Sequence, residues 1–163
     1  MIPSNLAVAV EWSDWLPWWS FLVAFPAGWC FVLFVISWIG GWRRLARRFP
    51  AAGRPTGGET YYLLSGSMGM AQARGTLILT IAPAGLYLTN LFLFRPFHPP
   101  LLLPWSGVRT LEQRKSLFGG YWVLVFEDAG TTVELPLRPG MPEVVRAAAG
   151  PRAADFDRPP PLP

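Results

Sequence analysis

Few side chains in this sequence stand where they could do chemistry together. His98 is the only histidine, so neither a histidine acid–base pair nor a histidine-rich metal site can form. It lies in a proline-stiffened stretch, Arg95-Pro96-Phe97-His98-Pro99-Pro100, where Arg95 and His98 make a candidate contact for a small anion or a protein partner. A loop histidine bonded to backbone is the simpler expectation. Glu127-Asp128 are adjacent acids, but Asp128-Ala129-Gly130 is a turn sequence and predicts a solvated hairpin end. Gly66-Ser67-Met68-Gly69 follows an apolar run, yet it has neither dinucleotide-binding nor P-loop spacing. No serine stands in a G-x-S-x-G elbow. Cys30 is the sole cysteine, which excludes an intrachain disulfide and a cysteine-based metal site. The expectation is a non-enzyme with no catalytic, cofactor-binding or metal site.

The elements that position these residues begin with a long apolar segment. Hydrophobic residues are 52% of the chain and charged residues 15%, well below the roughly 25% of soluble domains. From Trp15 to Trp42 there is no charge at all, enough chain for a helix to cross about 30 Å of hydrocarbon. Trp15, Trp18 and Trp19 at one end and Trp38 and Trp42 at the other form the aromatic belts of a spanning helix. Glu11 and Asp14 precede the segment and no A-x-A site follows it, unlike a cleaved signal peptide. Arg43, Arg44, Arg47 and Arg48 follow it at once, predicting contact with a membrane surface. By the positive-inside rule, the amino end faces out and the remainder faces the cytoplasm at an inner membrane. Pro26 predicts a kink in the span. Ser20, Ala24 and Gly28 recur every four residues, a face through which two such helices could pack as a homodimer.

Basic charge is concentrated beside this segment. Beyond residue 60 basic and acidic side chains nearly balance, nine against seven, without the basic face of a nucleic-acid binder. Leu45 and Phe49 share a face of the collar that could dip into the membrane interface, and Pro50 ends that helix. Ala51 to Gly58 reads as a linker. Past residue 59 the period becomes strand-like. Thr60 to Ser65 is a short apolar run, and Thr76 to Ala82 alternates around Leu77, Leu79 and Ile81. Ala82-Pro83-Ala84-Gly85 is a tight turn into a second strand, Leu86 to Phe94. In that strand Leu91, Phe92, Leu93 and Phe94 put apolar side chains on both faces, which suits a buried protein contact. Leu101 to Leu103 and Trp105 to Leu111 are further strand candidates. Tyr121 to Glu127 and Thr131 to Leu137 form another hairpin. Pro142 opens a short helix over Glu143 to Ala149, stopped by Gly150-Pro151.

Three stretches carry a resemblance: Leu77-Ile78-Leu79-Thr80-Ile81, Gly85-Leu86-Tyr87-Leu88-Thr89, and Phe94 to Val108 with its Leu103-Pro104-Trp105-Ser106-Gly107-Val108 strand. Together they resemble the bacterial PH-like and GRAM-like domains, over roughly residues 60–150. The resemblance implies a curved sheet of about seven mostly antiparallel strands with a carboxy-terminal capping helix. Eukaryotic phosphoinositide-binding members place cations around the first hairpin loop, where this reading puts Pro83-Ala84-Gly85 and no cation.

The expected organisation is therefore an external amino end (1–14), a transmembrane helix (15–42), a basic juxtamembrane segment and linker (43–59), the PH-like domain (60–150) and a proline-rich, extended tail (151–163). The expected function is a single-pass, membrane-anchored interaction module that tethers a membrane-associated protein. Alternatives are a structural subunit of a larger membrane complex and a sensor of anionic lipid. The expected partners are the bilayer and a membrane-associated protein, with no nucleic acid.

Overall fold

The computed structural model describes residues 19–116, 119–128 and 130–156, and the chain divides into two compact units between Val32 and Leu33. The stretch expected to be an external amino end (1–14), Trp15, Trp18 and the final proline run lie outside the described residues.

Helix α1 (Trp19–Ile39) has no acidic residue in its first turn and no basic residue in its last. It is apolar on every side, with Phe21, Leu22, Val23 and Phe25 exposed through the first unit. Twenty-one residues with mean hydropathy 2.2 over an 18-residue window are long and apolar enough to cross a membrane. Pro26 lies within the helix.

The second unit begins inside α1, where Leu33 and Ser37 are already buried. The helix stops at Gly40-Gly41, short of the expected Trp42. Gly41 takes φ +78, and a Cβ on Gly40 would sit 2.6 Å from that of Ala71. Helix α2 (Trp42–Arg48) follows, with the left-handed Gly41 as its N-cap.

Seven strands follow: β1 (Glu59–Met68), β2 (Ala71–Ala82), β3 (Gly85–Asn90), β4 (Leu101–Leu103), β5 (Val108–Ser116), β6 (Gly119–Asp128) and β7 (Thr131–Leu137). They form one curled sheet in the order β4-β3-β2-β1-β7-β6-β5, with every neighbouring pair antiparallel. Period-2 alternation explains β7, where Thr131, Val133, Leu135 and Leu137 are buried between more exposed neighbours. β1 joins β7 through Ser67↔Glu134 and Met68↔Val133. Gly66, next to that joint, admits close packing, since a Cβ there would lie 2.8 Å from Leu135 and 3.0 Å from Leu77. The glycine-rich Gly66–Gly69 stretch is thus the end of a strand and its turn. Helix α3 (Met141–Ala149) buries Met141, Val145 and Ala149, one stripe at i, i+4 and i+8, in the same core.

Several boundaries differ from the expectations. The first hairpin is β1–β2, turning at Gly69-Met70, and not the Pro83–Gly85 turn, which joins β2 to β3. β3 stops at Asn90, and Phe92–Phe94 is a 3-10 turn, so the two-faced strand through Phe94 does not form. Trp105–Gly107 is also a 3-10 turn, and the strand starts only at Val108. Trp105 there is 2% exposed, with its indole N–H shared between the carbonyls of Ala82 and Pro83 at 3.2 and 3.1 Å.

Two segments assigned to the membrane surface and to a free tail belong to the core. Trp42 is 5% exposed and donates its indole N–H to the Pro99 carbonyl at 2.8 Å, so it is no belt tryptophan. Leu45 is 1% exposed in the sheet's core, and Phe49 packs edge-to-face on Phe126 at 5.8 Å. Their shared face serves the protein and not lipid. The linker is anchored as well: the Phe49 carbonyl accepts from Leu102 N–H, Ala51 N–H donates to Pro100, and Pro50 bridges Leu101. These contacts cover part of the outer edge of β4. At the other end Gly150–Asp155 forms a 3-10 helix, and Phe156 is 2% exposed with its ring 6.0 Å from Trp105. Apolar burial by Phe156 outweighs the extended bias of its proline-rich neighbours.

Candidate functional site

The four arginines expected at a membrane surface stand together on α2. Trp42 and Leu45, three residues apart, turn one face of that helix into the core, leaving Arg43, Arg44, Arg47 and Arg48 on the remainder. With Trp38 and Gly41 they line an open concavity of about 750 Å³ whose wall, among the described residues, holds no acidic side chain. Two of the four are held. The Arg43 guanidinium lies 5.4 Å from the Phe34 ring centre, a cation–π distance. Arg48 Nε sits 3.0 Å from Asp128 Oδ2, and its guanidinium lies 5.9 Å from the Phe49 ring. Arg44 and Arg47 are exposed. Guanidinium groups present planar forks that match phosphate or carboxylate oxygens in pairs. The concavity is therefore chemically suited to an anion at the foot of α1.

Asp128 departs from the expected solvated turn. Its side chain is 18% exposed and tied to Arg48, whereas Glu127, 53% exposed and 3.8 Å from Arg109, faces solvent. One member of the acidic pair thus fixes the collar to the β6–β7 hairpin.

Arg95 and His98 do not form a joint surface. Arg95 is exposed, while His98 is 7% exposed with its ring edge-to-face on Trp42 at 5.2 Å. His98 Nδ1 lies 3.1 Å from the Pro96 carbonyl, so a neutral ring can donate there. Burial holds its pKa below the usual histidine value, opposed by the backbone carbonyls of Pro96 and Phe94. His98 locks the loop before β4 onto α2.

On α1, Ala24 and Gly28 of the expected pairing stripe are exposed and Ser20 is half-buried. A Cβ on Gly28 would meet nothing within 4 Å. Among the described residues no three His, Cys, Asp or Glu side chains gather as metal ligands would.

A second groove, about 370 Å³, lies on the outer sheet surface between Ser65, Gln72, Arg74, Arg114, Tyr121 and Glu134. Arg114 is already satisfied there, at 2.6 Å from Glu112 and 3.2 Å from both oxygens of Glu134, which raise its pKa further. Near the start of β1 the Tyr61 hydroxyl donates to Glu59 at 2.6 Å. Desolvation and then that carboxylate push its pKa up to about 12.

Sequence reasoning also missed an exposed apolar group in the turn that replaces the end of the expected second strand. Phe92, Leu93 and Phe97 are 81%, 51% and 45% exposed in the turn after β3. Their signal was the lack of alternation in Leu91-Phe92-Leu93-Phe94 directly before Pro96. No family model matches the chain, no curated protein matches it, and no solved structure matches it.

Proposed function

We propose that this chain is a single-pass membrane protein that presents a PH-like domain at the cytoplasmic face of the inner membrane as a non-catalytic tether. The observation that carries the reading is that the folded unit starts inside the apolar helix, at Leu33, with Trp42 and Leu45 of the collar in its core. A domain joined in this way stays at the bilayer surface, which raises its effective concentration toward a membrane-associated protein. The seven-stranded curled sheet and its terminal helix support the PH-like reading. The arginines after α1 support the inside orientation.

Extraction of the tagged protein from its own membranes in mild detergent, then sizing and mass spectrometry, tests this reading. A sub-stoichiometric membrane-associated protein that co-purifies is the expected result. A large stoichiometric assembly would instead identify a structural subunit. A second reading rests on the arginine concavity, which suits an anionic lipid headgroup. Each arginine near an anionic leaflet contributes roughly 1 kcal/mol. Arg44→Gln with Arg47→Gln should then weaken capture of anionic vesicles by detergent-solubilised protein, with capture of neutral vesicles unchanged.

A further inference from the structure

We propose that the turn Leu91–Phe97 is a second, shallow membrane contact, with Phe92, Leu93 and Phe97 entering the boundary between headgroups and acyl chains beside α1. The proposal rests on the reading of α1 as a spanning helix. Phe92 is 81% exposed, Leu93 51% and Phe97 45%, an apolar cluster with no place in the sheet's core.

The position of this cluster selects lipid as its occupant. The Phe97 ring packs edge-to-face on Phe34 of α1 at 5.4 Å, and Ser37 donates its hydroxyl to the Phe97 carbonyl at 2.6 Å. Phe34 stands about 7 Å of helical rise inside the end of α1 at Ile39. Toward the same end of α1 Ile36, Trp38 and Ile39 are themselves exposed, so both α1 and the turn present apolar side chains there. Interfacial elements enter the headgroup–acyl boundary by about 5–10 Å, and the Phe97–Phe34 contact sits in that range.

Part of the turn's backbone is already bonded. Leu91 N–H donates to Thr76 of β2, Phe94 N–H to Leu91 and Arg95 N–H to Phe92, and the Arg95 carbonyl accepts from His98, at 2.8–3.2 Å. Arg95 is exposed within the turn and Arg43 lies against Phe34, so cations stand where an apolar surface meets phosphates. Phe97 takes φ +64, a left-handed conformation uncommon for an aromatic residue, in the contact that joins the turn to α1. The β1–β2 turn adds Met70, 86% exposed, beside Gly69, where a Cβ would lie 3.3 Å from the Gly40 carbonyl.

The test uses the full chain in vesicles of phosphatidylethanolamine and phosphatidylglycerol, with Cys30→Ser to leave one thiol. Nitroxides are placed in turn at Phe92→Cys, at Phe25→Cys within α1, and at the exposed Ala147→Cys of α3. Collision with oxygen, which concentrates in lipid, is compared with collision with a water-soluble nickel chelate. The expected result is oxygen excess at positions 25 and 92, with chelate excess at 147. Chelate excess at 92 with oxygen excess at 25 overturns the proposal and leaves α1 in the bilayer. Chelate excess at both removes the membrane reading and this proposal together. Shelter of position 92 from both reagents would mean that protein covers the turn, which also overturns it.

Discussion

α1 and the sheet are built from the same apolar residue types turned in opposite directions. Along α1 Phe21, Leu22, Val23 and Phe25 point outward on all sides, whereas Leu79, Leu86, Leu88 and Phe126 in the strands have no exposed surface at all. α3 completes the contrast, being a helix that buries Met141, Val145 and Ala149 along one face and leaves Glu143 and Ala147 exposed. The amount of apolar surface does not separate these regions; its periodicity does. An apolar helix without a polar face suits hydrocarbon around it, while alternation or a single stripe suits a protein core on one side.

Substitutions should therefore act in different assays in the two regions. The largest effect is expected from Phe25→Arg combined with Phe31→Arg in α1. Each arginine near the centre of a spanning helix costs about 2.5–3.5 kcal/mol of insertion. The protein should move from the carbonate-resistant membrane fraction to the soluble one. A domain that stays in the membrane with both arginines present would break the comparison. Next is Trp105→Ala, which removes a buried indole and its hydrogen bonds to Ala82 and Pro83. It should cost about 3–5 kcal/mol in chemical denaturation without altering membrane extraction.

Leu45→Ala sharpens the comparison at its boundary. As a core residue it should lose about 3 kcal/mol of stability. Arg47→Ala, two positions away and exposed, should change stability by less than about 0.5 kcal/mol. Equal, small effects at both positions would return the collar to the membrane surface. Asp128→Ala removes the partner of Arg48, an arginine 59% exposed, and should cost no more than about 1 kcal/mol. The subtlest effect is pH dependence from His98. Its folded pKa lies below the unfolded value near 6.5, so the unfolded chain takes up the proton first as pH falls. The neutral ring's contribution is complete above that value and is lost progressively below it. His98→Gln should flatten the stability profile in that acidic window, as read by denaturation midpoints.

Legibility in the sequence followed the range of the interactions. The β2–β3 and β6–β7 hairpins and α3 were readable because alternation, Pro83–Gly85, Asp128–Gly130 and Pro142 are local signals. β1 was truncated because Gly66 interrupts its apolar run, although that glycine is required by the side chains of Leu77 and Leu135. Trp42 and Leu45 were given to the membrane because their sequence neighbours are a span and a cluster of arginines. Their partners lie far along the chain, with Pro99 accepting from Trp42. Phe156 was hidden for the same reason, among prolines and charges that say nothing of Trp105. Of the candidate sites the arginine cluster was legible as composition. Its concavity and the Arg48–Asp128 pairing depend on how α2 and the β6–β7 hairpin meet.

The core that unites Trp42 and Leu45 with Phe156 also sets a schedule for making the protein. α1 leaves the ribosome early, whereas two of the core's own residues follow it directly and another comes more than a hundred positions later. Contacts of such wide separation form slowly, and a domain completes as a unit once its last contributing segment is made. Until Phe156 is made, Trp42 and Leu45 stand exposed beside a helix that is apolar on every side. The sheet must later recover those two side chains, and on the proposed reading of α1 as a span it would have to recover them from the bilayer surface.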